Sequence, residues 1–352
     1  MQVLNLMWSA EPAYHSVHLV MANVEQSLQP CNFEHHFLIG DAHQQSLLQP
    51  GSSFNTTKRK MKRWWSRTAL QWRLRKLLQT KVYDAIILDG IGVARIALPV
   101  LSRFSNSRVL IYFHGQTQFK KRDLKLLAQI KPERLCLIAV SETLAQQIRQ
   151  QVPTLTVLAI PTYLHLPMFP ALPKQNRVIR FGAVGRLAAS KNFSLLIEAM
   201  CLLRQQGCMV TLELAGEGAL HAQLEAQVRD YSLEDSVYLL GQQENMAHFY
   251  QQIDVLLVPS LQEGQGLVIQ EALHYGAPVI CSDLPVFREQ LKEAGCYLPT
   301  CDASVWADTV SGMDKIIIAH MLKQQRQIYA SYSNQEKFST LLYKAAQGER
   351  GI

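Results

Sequence analysis

No stretch of this chain is apolar for long enough to cross a bilayer. The best candidate, Ala85 to Leu101, is interrupted by Asp89 and Arg95 and punctuated by Gly90 and Gly92, whereas a span needs roughly 20 mainly apolar residues without central charge. The segment Met1 to Leu6 has no basic residues ahead of its apolar ones, so a signal peptide is not expected. The seven cysteines, Cys31, Cys136, Cys201, Cys208, Cys281, Cys296 and Cys301, include no Cys-x-x-Cys pair. An odd count without metal spacing leads to an expectation of reduced thiols and a cytoplasmic location. The eleven histidines form no ligand pattern either, and no metal or other cofactor is expected. Internal repeats and low-complexity tracts are also missing, which excludes solenoid and fibrous architectures.

What is present is an ordinary globular balance over 352 residues, 48% hydrophobic and 18% charged. That length is large for one core and suggests two domains. A net charge of +7 points to an anionic partner: nucleic acid, an acidic membrane surface or a phosphorylated substrate.

Short apolar runs alternate with longer mixed segments. Val3 to Trp8, Glu34 to Ile39, Ala85 to Leu88, Val109 to His114 and Cys136 to Val140 read as buried strands. Ser141 to Gln151 reads as a helix opened by a serine cap. The pattern then restarts with strands expected at Ile179 to Val184, Val210 to Ala215, Val237 to Leu240, Val255 to Pro259 and Pro278 to Ser282. Helices are expected between them at Phe193 to Gln206, Ala219 to Tyr231, Met246 to Gln252 and Gly266 to His274. Strand–helix alternation carried out twice implies two α/β domains with parallel sheets. The prolines of Pro161 to Asn176 interrupt any regular element and mark the connection, so the domains are expected over 1–165 and 166–328.

The densest chemistry lies between Phe181 and Glu289. Gly185-Arg186-Leu187 ends one expected strand, and Lys191 follows just before a helix. A strand-to-helix turn with two cations and free helix N–H groups suits phosphate oxygens. Glu263-Gly264-Gln265-Gly266 follows another strand and opens a helix carrying Glu271, about two turns further on. Its glycines permit close backbone approach, and its helix start can hold an anion. Taken singly, each residue has a plainer account: a solvated cation, a turn glycine, an exposed helix glutamate. Their order within one α/β domain is what points to a site.

The sequence resembles the large GT4-type family of retaining glycosyltransferases. The matching segments are Phe181-Gly-Ala-Val-Gly-Arg-Leu187, Lys191-Asn192, Leu214-Ala-Gly-Glu-Gly218, Val237-Tyr-Leu-Leu-Gly241, Asp254-Val-Leu-Leu-Val-Pro-Ser260, Glu263-Gly-Gln-Gly-Leu-Val-Ile-Gln-Glu-Ala272 and Gly276-Ala-Pro-Val-Ile280. The resemblance implies the GT-B architecture, two doubly wound Rossmann-like domains facing an interdomain cleft, and a nucleotide-sugar donor held by the second. It implies that Arg186 and Lys191 grip the donor diphosphate beside Gly185, and that Glu271 accepts hydrogen bonds from ribose. Glu263 and the segment Gly264, Gln265, Gly266 and Leu267 would hold the sugar and a phosphate, with the base near Gly216, Leu240 and Gly241. Where the family usually has an aromatic between the two glycines this chain has Gln265, which bears on the sugar held.

The first half matches less well. Leu110-Ile-Tyr-Phe-His114-Gly115 resembles the family's strand ending in His-Gly, which implies that His114 reaches the donor sugar, and Leu137-Ile-Ala-Val-Ser141-Glu142 resembles the strand before a Ser-led helix. The loop Trp8-Ser-Ala-Glu-Pro12 lacks the usual glycine pair, and Ile160-Pro-Thr-Tyr163 replaces the familiar Asn-Gly turn. The family also implies a last helix over Tyr329 to Gln347, within 329–352, returning to the first domain.

The positive charge is concentrated. From Lys58 to Lys81 there is no Asp or Glu, while Lys58, Arg59, Lys60, Lys62 and Arg63 precede a segment containing Trp64, Trp65 and Trp72. At about 100° per residue, Leu70, Leu74, Leu77 and Leu78 form one stripe, and Met61, Trp65 and Trp72 another nearly opposite. With the Leu stripe docked, the outward Trp and cations would suit an anionic membrane face. A solvated helix with its Trp packed inside is the other reading.

The expected activity is retaining glycosyl transfer from a nucleotide diphosphate-sugar to a glycan or lipid-linked acceptor, in bacterial surface polysaccharide, lipopolysaccharide or lipid-linked glycan assembly. The expected location is the cytoplasm, extending to the inner face of the membrane. A GT-B nucleotide-sugar epimerase or hydrolase shares the fold and differs in releasing product without an acceptor. A nucleic-acid-binding protein is a remoter alternative, which salt-sensitive oligonucleotide binding would reveal.

Overall fold

The structure is a computed structural model that describes residues 1–11, 15–40, 47–48, 51–56, 64–170 and 178–348. It divides into two compact units, Met1–Tyr163 with Ser333–Ile352, and Leu164–Tyr332. Each is built on its own sheet.

Unit 1 has a seven-stranded sheet in the order β3-β2-β1-β4-β5-β6-β7. The strands are β1 Gln2–Ser9, β2 Asn32–Ile39, β3 Gly51–Thr56, β4 Ala85–Asp89, β5 Arg108–Phe113, β6 Leu135–Ala139 and β7 Thr156–Ala159. Every pairing is parallel. Central strands such as β6 are buried at every residue, because helices cover both faces of the sheet. That is why they read as continuous apolar runs.

Unit 2 has a six-stranded parallel sheet in the order β10-β9-β8-β11-β12-β13. Its strands are β8 Ile179–Val184, β9 Val210–Ala215, β10 Val237–Gly241, β11 Val255–Val258, β12 Val279–Ser282 and β13 Cys296–Leu298. Side chains alternate between the faces. Val255 and Leu257 join the core formed with Phe193, Leu196 and Trp306, while Leu256 and Val258 join the opposite core with Tyr250, Ile269 and Phe287. In both sheets the chain builds outward from a central strand and then crosses to its other side. The reversal falls between β1 and β4 in unit 1 and between β8 and β11 in unit 2. Ligands of open α/β sheets bind at the carboxyl ends of strands flanking such a reversal.

The structure revises several expectations. β3, β7 and β13 have no counterpart in the sequence reading; all three are edge strands. The segment Tyr329 to Gln347 is two helices, Lys315–Tyr332 and Gln335–Gln347, and Asn334 caps the second by accepting from the Lys337 N–H at 2.9 Å. The first runs unbroken through Tyr329, so the division falls at Tyr332/Ser333 instead of 328/329, and the earlier one at Tyr163/Leu164 instead of 165/166. The second helix does belong to unit 1, where Arg108 Nε donates to the Ala345 carbonyl at 3.1 Å.

Within the basic segment, the helix spans Trp64–Thr80. Leu70 and Leu74 are buried and Trp72 is 62% exposed. Lys58, Arg59, Lys60, Met61, Lys62 and Arg63, and the side chain of Trp65, lie outside the described residues. Among the described residues no helix is long and apolar enough to cross a membrane.

Candidate functional site

The site in unit 2 starts from three interlocked strand ends. Beyond β8, the Gly185 N–H donates to the Ala215 carbonyl at 3.0 Å and the Leu187 N–H to the Glu217 carbonyl at 2.9 Å. Beyond β9, the Gly216 N–H donates to the Gly241 carbonyl at 2.8 Å. These backbones touch so closely that a Cβ on Gly216, whose φ is 141°, would lie 1.9 Å from the Gly185 oxygen. Only glycine fits there, and the result is a flat backbone floor at the carboxyl ends of β8, β9 and β10.

Arg186 stands on that floor, exposed and without a partner among the described residues. The chain then makes one 3-10 turn, Ala189–Lys191, and Asn192 adopts a left-handed φ of 54° before the helix Phe193–Gln205. This kink separates Lys191 from the helix and turns it toward the loop after β11. There the Leu261 N–H donates to the Ser190 carbonyl at 2.8 Å, and Lys191 Nζ forms an ion pair with Glu263 Oε1. Ser260 Oγ donates to the same carboxylate oxygen at 2.9 Å. The two loops flanking the chain reversal are thus joined by a cation, a carboxylate and a hydroxyl. Arg186 and Lys191 are both present at the strand ends, yet in this state Lys191 is committed to Glu263.

The glycine turn continues into the helix Leu267–Tyr275, which begins one residue later than expected because Gly266 has a φ of 77°. A Cβ on Gly266 would come within 2.7 Å of the Phe287 ring. Gln265 is 4% exposed. Its side chain faces Tyr329, and Gln290 Nε2 donates to its carbonyl. Gln265 therefore offers this turn its backbone, and its amide is directed into the unit's core. Leu240 is 37% exposed at the edge strand, and its carbonyl accepts from Gln243 Nε2 at 2.7 Å.

Glu271 lies deeper. Tyr250 donates its hydroxyl to Glu271 Oε2 at 2.6 Å. Burial pushes the Glu271 carboxyl above its usual range, and the Tyr250 hydrogen bond works against that rise. Burial also drives the Tyr250 phenol far upward, with the neighbouring carboxylate adding to it, so the phenol stays a donor.

In unit 1, His114 follows β5 and stacks on Tyr112 with ring centroids 5.2 Å apart. Its Nε2 makes no hydrogen bond among the described residues, and the nearest acid is Asp89 Oδ1, 3.5 Å away at the end of β4. Asp89 in turn accepts the Trp8 N–H at 3.1 Å from the end of β1. Burial holds the His114 imidazole below its ordinary value while Asp89 pulls the other way.

Three of these residues escaped the sequence reading. Asp89 and Ser260 each had a legible signal, a polar residue closing an apolar strand beside Gly90 or Pro259. Tyr250 had none, since an aromatic on an amphipathic helix reads as core.

Part of unit 2 is similar in sequence to known proteins. Residues 179–313 match the family model described as glycosyl transferases group 1. The Bacillus subtilis protein EpsF is 34% identical over 37% of this chain and 34% of its own length. The amylovoran biosynthesis glycosyltransferase AmsK of Erwinia amylovora is 32% identical over 42% of this chain and 38% of its own. The chain thus spans about a third of the length of these curated relatives. Among solved structures, Anabaena HepE in complex with UDP superposes with a TM-score of 0.75 at 15% identity, covering 98% of this chain and 99% of that one. The floor, the ion pair and the half-buried Glu271 carboxylate all lie inside the residues that match the group 1 glycosyl transferase model, and the chain as a whole has a two-unit α/β architecture similar to that of GT-B proteins.

Proposed function

We propose that the chain is a retaining, GT4-type glycosyltransferase that moves a sugar from a nucleotide diphosphate-sugar to a glycan or lipid-linked acceptor in surface polysaccharide, lipopolysaccharide or related glycan assembly. The observation that carries the reading is the junction of Lys191, Glu263 and Ser260 between the loops after β8 and β11. A diphosphate and a sugar need a cation and a carboxylate side by side, and few other ligands do. As the glycosidic bond breaks, negative charge grows on the leaving diphosphate. Arg186, Lys191 and the N–H groups at Gly264 to Gly266 meet that charge, and no resident metal is needed for it. Glu263 takes hydroxyls of the sugar, and Glu271 takes those of ribose. UDP in the HepE structure makes a uridine nucleotide the first candidate for the donor.

Unit 1 receives the acceptor in this reading, with His114 and Asp89 as its polar contribution. A thermal-shift screen of nucleotide-sugars tests the donor assignment, because a true donor raises the unfolding temperature by mass action. Failure of every common donor, or full-rate release of free sugar with no acceptor present, would sink the transferase reading.

Trp72 favours a further component. It is 62% exposed, with Lys76 Nζ 5.8 Å from its ring centre, on a helix without acidic residues. That is the composition of an anionic membrane face, where each basic residue is worth about 1 kcal/mol. Vesicles containing anionic lipid should sediment the protein at low salt and neutral vesicles should not. Replacing Lys58, Arg59, Lys60, Lys62 and Arg63 with Gln should abolish the effect. Anionic vesicles that fail to sediment the protein at low salt remove the membrane from the reading.

A further inference from the structure

Among the described residues Glu271 has no cation beside it, unlike Glu263. Lys191 is committed to Glu263. Arg326, at the far end of the Glu271 helix, spends its guanidinium on the carbonyls of Leu273, at 2.6 Å, and His274, at 3.0 Å. Among the described residues the titratable groups facing Glu271 are phenols: Tyr250 from the helix Met246–Gln252, Tyr275 from its own helix, and Tyr329 from the helix Lys315–Tyr332. Of these, Tyr250 is fully buried and hydrogen-bonded to Glu271. Its ring is clamped between Phe249, 5.6 Å away edge-on, and Tyr275, 6.1 Å away and stacked. The hydroxyl therefore has one place to go.

Resting on the donor-site reading above, the geometry points to Tyr250 as a positioning residue for ribose recognition: its clamped hydroxyl donates to Glu271 Oε2, which fixes that oxygen and favours the carboxylate form that can accept from both hydroxyls of the ribose diol. A carboxylate accepts at both oxygens, whereas a protonated carboxyl turns one of them into a donor. A vicinal diol offers two O–H donors and needs the ionised form. Burial alone favours the protonated form; the Tyr250 hydroxyl opposes it. Its removal raises the pH at which Glu271 picks up its proton, and ribose affinity is then lost at a higher pH.

The test is calorimetry of UDP and 2′,3′-dideoxy-UDP with the wild-type chain and Tyr250→Phe, from about pH 8 to about pH 5. The β-phosphate titrates in both ligands, so the ratio of their affinities isolates the ribose contribution. In the wild type this ratio should favour UDP by about tenfold at the alkaline end and decline toward acid. In Tyr250→Phe the decline should begin at a higher pH than in the wild type, while the dideoxy ligand binds as in the wild type. A Tyr250→Phe profile that overlays the wild type, or equal weakening of both ligands, overturns the positioning role. If the phenylalanine variant does not fold, wild type that binds UDP no better than its dideoxy analogue even at the alkaline end overturns the proposal on its own. Wild type that binds neither ligand, nor any other nucleoside diphosphate, overturns the donor-site reading, a result distinct from a failure confined to Tyr250.

Discussion

Unit 1 and unit 2 share one topology and differ in what they place at its working end. Both sheets reverse direction about a central strand. In unit 2 the reversal carries opposite charges that satisfy each other, Lys191 against Glu263 with Ser260 alongside. In unit 1 it carries an imidazole held low by burial, whose Nε2 has no hydrogen bond among the described residues and an acid 3.5 Å away. A paired cation and carboxylate can be exchanged, partner for partner, against a highly charged ligand. A half-buried imidazole beside an aspartate, its pKa lowered by burial, suits an uncharged hydroxyl. Under the proposed function, the same architecture would serve a polyanion in one unit and a polyol in the other, and a few residues at strand ends make the difference.

The sharpest way to break this comparison is to remove the charges of one unit and the imidazole of the other. Arg186→Ala and Lys191→Ala should each lower turnover by ~10²-fold or more, since they act on charge that develops in the transition state. His114→Ala should lower transfer by ~10-fold or more yet leave nucleoside diphosphate affinity unchanged. Calorimetry decides: equal loss of nucleotide affinity in His114→Ala and Lys191→Ala would erase the distinction.

A smaller effect separates the two glutamates within unit 2. Glu271→Ala should weaken donor and free nucleoside diphosphate alike, by about tenfold or more, because ribose is common to both. Glu263→Ala should reduce transfer while leaving nucleotide affinity nearly intact, and even raise it if freeing Lys191 matters. Unchanged nucleotide binding by Glu271→Ala would remove ribose from that residue's role.

The smallest effect is on stability. In unit 1, burial holds His18, His36 and His114 below their ordinary values. The unfolded chain then binds more protons, so this part of unit 1's stability is complete above about pH 6.5 and is lost as pH falls. Glu34 acts in a lower window. Burial alone would raise it, but hydrogen bonds from His36, Tyr83 and Lys81 hold it at about 2, so its contribution is present above the ordinary carboxylate range and fades below it. In unit 2, burial raises Glu213 and Glu271 instead, with His165 shifted like the histidines of unit 1. For those glutamates mild acid favours the folded form. Hydrogen exchange at about pH 7 and about pH 5.5, corrected for intrinsic rate, should show β1 and β2 losing protection relative to β8 and β9. Parallel change in both sheets would contradict this.

Legibility in the sequence followed burial. Central strands such as β5, β6 and β11 were readable because both faces are covered and the run is apolar throughout. β3 was not, since Gly51-Ser-Ser-Phe-Asn-Thr pairs on one side only and buries Phe54. The segments of unit 2 that the proposed function uses, Gly185-Arg186 and Glu263 to Glu271, stood out in the sequence because glycines and charged residues recur there at strand ends and helix starts. What stayed hidden needed three dimensions: that Lys191 meets Glu263, that Gln265 turns inward, and that Tyr250 reaches Glu271 from a separate helix.

The return of the last helix has a bearing on how the molecule is made. Gln335–Gln347 packs on the first helix, His15–Ser27, and supplies the carbonyl that Arg108 binds. During synthesis the ribosome releases residues in order, and domains generally fold as units while the chain emerges. Unit 2 is one continuous segment, Leu164–Tyr332, and is complete once Tyr332 has left the exit tunnel. Unit 1, though begun first, must wait for its closing helix. Unit 2 therefore depends on no residue made after Tyr332, whereas unit 1 does, and if unit 2 holds the donor as proposed, a released chain ending at Tyr332 should still bind nucleotide.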